Sequence, residues 1–192
     1  MKYAEIFNKA SIVKNIPLIC EGRELPAGMN AIVVLTRVQY DKYIKTFQDE
    51  MDSVLKGLKE EGFDERSERQ NRLKGIDERA EAAKKWKKGD KDDKGNLIEK
   101  PVPPTAEELK EAEEIRKEKD AYDKELEKLE SDYRKAHDEK MGEEVEIKER
   151  KFTAEQFESI IRTIGVEGDI EVNGNNTPKT HFINMIGALF VE

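Results

Sequence analysis

The clearest pattern along the chain lies between Tyr40 and Leu58, where Tyr40, Ile44, Phe47, Met51, Val54 and Leu58 step by 4, 3, 4, 3 and 4. That spacing predicts a helix whose apolar seam packs against another helix. The helix starts at Pro26, because a first turn has no use for the N–H that proline lacks. Gly62 and Phe63 interrupt the phase, and a weaker seam resumes at Leu73, Ile76, Ala80 and Ala83, giving a second helical piece to about Trp86. Periodicity then vanishes from Lys87 to Pro104, where Gly89, Gly95, Asn96, Pro101, Pro103 and Pro104 mark a connection. Thr105 followed by Glu108 is a capping box and opens a third long helix. Its apolar track, Ile115, Tyr122, Leu126, Leu129, Tyr133 and Ala136, ends near Met141 and Gly142.

The ends of the chain read differently. Tyr3, Ile6, Phe7, Ala10 and Val13 predict a short amphipathic helix over 2–14, closed by Asn15 and Pro17. Val145 and Ile147 alternate with charges and predict a short strand. Thr153 and Gln156 form a second capping box, with Phe152 and Phe157 as a staple, for a helix that buries Phe157, Ile160, Ile161 and Ile164 and stops at Gly165. Ile170 and Val172 suit a strand before an Asn173 to Asn176 turn. For Phe182 to Val191 the pattern leaves helix and buried strand both open.

These elements assemble into a mainly α fold: a long, coiled-coil-like antiparallel helical hairpin with a small α+β base made by the N-terminal helix and the C-terminal segment. A helix over 105–141 would be roughly 55 Å long, matching the two upstream pieces together. The organisation predicted is 1–25 for the N-terminal helix and loop, 26–141 for the hairpin with its connection at 87–104, and 142–192 for the C-terminal segment.

Charge narrows the function. The chain is 41% charged and 36% hydrophobic, with 35 Lys and Arg against 43 Asp and Glu; such mixed-sign stretches belong to exposed helices. A net charge of -8 and a pI near 5.1 argue against general nucleic-acid or anionic-membrane binding, both of which need a cationic surface. The single Cys20 allows no internal disulfide, no segment reads as a secretory signal, and no run is long enough for a membrane span, so synthesis in a reducing cytoplasm is expected.

Candidate chemistry is sparse. His137 and His181 lack metal-ligand company. Asp90, Asp92 and Gly95 imitate a calcium loop, but Lys94 and Pro101 stand where ligands belong. The reading is therefore no catalytic residue, no cofactor and no metal. Two segments are candidate interaction sites. Lys84, Lys85, Lys87 and Lys88 surround Trp86 at the hairpin tip, an arrangement that can stack on a base, meet a membrane interface or anchor a protein. The same residues also suit plain C-terminal capping, with Trp86 packing back on Ile98 or Val102. Phe182, Ile183, Ile186, Leu189 and Phe190, with Val191, offer either a subunit interface or a cover for the hairpin base.

The short N-terminal helix, the charged two-armed hairpin broken by Asp92-Asp93-Lys94-Gly95-Asn96, and the Glu143-Glu144-Val145-Glu146-Ile147 segment leading into a compact tail together resemble small helical late-gene proteins of tailed bacteriophages. The resemblance is one of layout. It implies a non-enzymatic virion component or assembly factor, such as a head-tail connector or ring-type subunit, whose partners are copies of itself or other virion proteins. The alternative from another class is a monomeric coiled-coil adaptor or assembly chaperone gripping a client protein. Nucleic acid enters only at the basic tip, and no membrane partner is expected.

Overall fold

The computed structural model describes residues 1–20, 23–25, 27–87, 99–148, 151–172 and 175–190. Among them the chain forms α1 (Tyr3–Ile19), α2 (Ala27–Leu58), α3 (Phe63–Lys85), α4 (Ala106–Gly142), α5 (Ala154–Ile164), β1 (Asp169–Val172), β2 (Asn175–Pro178) and α6 (Lys179–Phe190). The expected class is present: mainly helical, with long paired helices and one small antiparallel sheet. By contacts the chain divides into two compact units, Met1–Val54 with Lys135–Glu192, and Leu55–Arg134. In this division α2 as far as Val54 and α4 from Lys135 fall with the termini.

In the first unit, Ile6, Val13 and Ile16 of α1, Val33, Tyr40, Phe47 and Met51 of α2, Ile160 and Ile164 of α5, and Ile186 of α6 are all buried. α6 packs on α1, α5 and β2. Phe47 is the hub of an aromatic group, with ring centroids 5.1 Å from Tyr3, 5.1 Å from Phe7 and 5.5 Å from His137. Beside it Lys140 bridges Glu50 and Glu143, each at 2.5 Å, and its ammonium stands 5.5 Å from the Tyr3 ring centroid.

Three local expectations are corrected in this unit. α1 does not stop at Asn15 but runs through Pro17 to Ile19. Only the last turn loses a donor, and the fully buried Ile16 anchors that turn in the core. The 143–147 strand is absent: a lone bridge joins Lys2 to Glu144, with Val145 N donating to Met1 O at 2.9 Å. The ladder cannot extend because its partner becomes α1 at Tyr3. The carbonyls of Glu146 and Lys148 instead accept from the Tyr43 hydroxyl and from Gln39 Nε2, both at 2.9 Å. Asn175 and Asn176 belong to β2, paired with Val172 and Glu171, rather than to a turn; Asn173 lies outside the described residues, as does Pro26. The open choice between helix and strand is resolved as helix for Phe182 to Phe190, Val191 lying outside the described residues. The second capping box is formed, Thr153 Oγ1 accepting from Gln156 N at 3.3 Å and Gln156 Oε1 from Thr153 N at 3.0 Å.

In the second unit α2 ends at Leu58 and the break falls where the sequence placed it. Gly62 has φ 75°, a left-handed conformation that restarts the helix at Phe63. α3 and α4 pair antiparallel around Leu73, Ile76, Ala112 and Ile115. The Thr105 to Glu108 capping box is formed in both directions. Tyr122 and Leu126 are half-buried, as two helices shield only one side of each other.

Candidate interaction surfaces

Arginine on α3 and carboxylate on α4 set the register of the second unit. Arg66 holds Glu125 with two bonds, Nη2 to Oε1 at 2.6 Å and Nε to Oε2 at 3.0 Å, while its Nη1 donates to Glu61 O in the break at 2.9 Å. Arg69 meets Glu118 at 2.9 Å, Arg72 meets Glu111 at 3.0 Å, Arg79 meets Glu108 at 2.5 Å, and Asp77 pairs with Arg116. The planar guanidinium fixes direction as well as charge, which a lysine does not. Arg79 and the Thr105 N–H together hold the Glu108 carboxyl below its usual range.

A crevice of about 230 Å³ lies at the break. Leu58, Phe63 and Leu129 form its apolar side, and Lys59, Glu125 and Asp132 supply charge. Phe63 is stacked on Tyr122 with centroids 5.7 Å apart, and Lys59 Nζ stands 5.7 Å from the Phe63 centroid. Glu125 is already engaged by Arg66. The arrangement is a packed helix break with mixed charge at its rim. Among the described residues no group of three or more His, Cys, Asp or Glu could hold a metal ion, and no helix is long and apolar enough to cross a membrane. Asp90, Asp92 and Gly95 lie outside the described residues.

Of the tip residues, Lys84, Lys85 and Lys87 are exposed and Trp86 is half-buried. Trp86 ends α3, its N–H donating to Ala82 O, and Lys85 pairs with Glu81. Lys88 and Ile98 lie outside the described residues. Val102 is exposed. The tail behaves differently from an open interface: Phe182, Ile183 and Ile186 are buried inside the first unit. They face α1, α5 and β2, on which α6 packs. Leu189 and Phe190 lie at the end of α6, their side chains outside the described set.

One surface was not anticipated. On α2 the buried residues Met29, Val33, Thr36 and Tyr40 define the inner face, yet Val34, Leu35 and Val38 on the other side are 51%, 47% and 59% exposed. The sequence signal was the uncharged run from Leu25 to Thr36, which is apolar all round the helix rather than along one stripe. Comparison of the chain with protein-family models, curated proteins and solved structures gives no match.

Proposed function

We propose that this is a non-enzymatic structural or assembly protein acting through protein–protein contacts, a virion component of the head-tail connector or ring kind in a tailed bacteriophage. The observation that supports it best is the row of arginine–carboxylate pairs holding α3 on α4 in one register. Such a row spends charge on keeping two arms aligned, which suits a strut and offers nothing to a substrate. The direct test is native mass spectrometry of complexes captured with the tagged chain from the cells that make it. Fixed integer ratios of this chain to itself or to other particle proteins are expected; recovery only as a free 22.1 kDa species would overturn the reading.

A second reading, a monomeric adaptor or assembly chaperone, is favoured by the exposed Lys84, Lys85 and Lys87 around Trp86. It predicts a one-to-one complex with a client that is weakened when these lysines are neutralised.

A further inference from the structure

We propose that Arg66 is the latch of the break between α2 and α3: its guanidinium holds the turn in shape, and without it residues 59–66 open locally while the rest of the α3–α4 pair stays closed. The latch is independent of whether the chain serves as strut or adaptor.

Leu58 and Phe63 share the apolar side of one crevice with Leu129, yet positions five residues apart along an unbroken helix face directions about 140° apart. The chain therefore has to be turned between them, and the turning interrupts the helical ladder. Gly62 makes the turn at φ 75°. Phe63 N donates to Glu60 O and Arg66 N to Gly62 O, both at 3.0 Å. The Glu61 carbonyl is taken by a side chain instead, accepting from Arg66 Nη1 at 2.9 Å. The other two nitrogens of the same guanidinium grip both carboxylate oxygens of Glu125 on α4. One planar group thus ties the turn and the first turn of α3 to α4, in a geometry that a point charge does not impose. A Cβ on Gly62 would lie 3.0 Å from Nη1, so the latch rests directly on the turn.

Other supports flank the break. Lys59 pairs with Asp64, whose side chain is 75% exposed, and Lys128 stands 3.6 Å from Glu60 with both side chains open to water; such pairs contribute little. The Glu125 side chain is 16% exposed, the most sheltered carboxylate among the described pairs that join α3 to α4. Phe63, buried and stacked on Tyr122, is the rival anchor. It fixes its own ring but gives the Glu61 carbonyl no donor.

The test is amide hydrogen exchange on the full chain with Arg66→Met, Arg66→Lys and Glu125→Gln. Met keeps the apolar stem and loses the fork; Lys keeps the charge and loses the fork. Arg66→Met should lower protection at the Lys59 and Phe63 amides by at least about tenfold, with the amides from Leu73 to Ala82 unchanged. Arg66→Lys should behave like Arg66→Met, and Glu125→Gln should fall between them and the wild type. If Arg66→Met does not fold, Glu125→Gln carries the same comparison. Three results would each overturn the proposal: the two amides already unprotected in the wild type, full protection retained with Met or Lys, or equal loss along the whole of α3. The first two leave no latch, and the third makes Arg66 a contributor to general stability.

Discussion

At the scale of single residues, two positions carry consequences out of proportion to their size. A Cβ on Gly187 would sit 2.9 Å from the tip of the Phe157 ring, closer than atoms pack, so α6 approaches α5 only because this residue lacks a side chain. Gly187→Ala gains about 1 kcal/mol of helix propensity but meets an overpacking penalty of about 1–3 kcal/mol. A net loss in denaturant unfolding is expected, partly recovered by Phe157→Leu in the same chain. Thr36 is the opposite case: its hydroxyl is buried on α2 and has no hydrogen-bond partner among the described residues. Thr36→Val keeps the shape and removes the desolvation penalty, and should raise the unfolding free energy by about 1 kcal/mol. Neither effect was legible beforehand. Gly187 reads as an ordinary helix weakener and Thr36 as a polar break in an apolar run, until the neighbouring elements are known.

At the scale of elements the sequence was most readable where local chemistry alone decides. Both capping boxes, the break at Gly62, the Gly165 stop and the α4 span follow from residues within a turn of one another. Thr105→Ala removes one such device and should cost about 1 kcal/mol, read as a lower thermal midpoint and faster amide exchange in the first turn of α4. What failed depended on partners distant in sequence. Alternation at Val145 and Ile147 predicted a strand, but a ladder needs a long partner and found only Met1 and Lys2. Pro17 predicted a helix end, but Ile16 was held from outside the helix. The apolar tail left interface and cover both open; that it packs on α1, α5 and β2 of the same chain needed the tertiary structure. The candidate interaction face on α2 left a trace, the uncharged run, which seam counting passed over because no period marks it.

At the scale of the whole molecule, the two units are held by different physics. The first has a broad apolar core and one concentrated ionic knot. Hydrogen bonds from Lys140 to Glu143 and Glu50 push the lysine above its ordinary range, and burial, with Glu50 adjacent, pushes the Tyr3 phenol up. Both groups hold their protons more tightly folded than unfolded. Their contribution is complete below the ordinary values near 10 and is lost as pH rises beyond them. Circular dichroism should therefore show loss of helix beginning above about pH 10, reduced by Lys140→Met. The second unit has a thin seam, Leu73, Ile76, Ala112 and Ile115, flanked by exposed ion pairs. Salt at about 1 M, which shrinks the screening length to about 3 Å, should weaken it more than the first. The chain carries the means to see this without labels of foreign origin. Its only tryptophan, Trp86, falls in the second unit, and its only cysteine, Cys20, is buried at the end of α1 in the first, with burial raising the thiol's pKa. Indole emission is thus a spectroscopic gauge of one half and thiol alkylation a chemical clock for the other. With added salt the emission transition should move to lower denaturant while the alkylation rate holds, and a common shift in both would mean that the halves unfold as one.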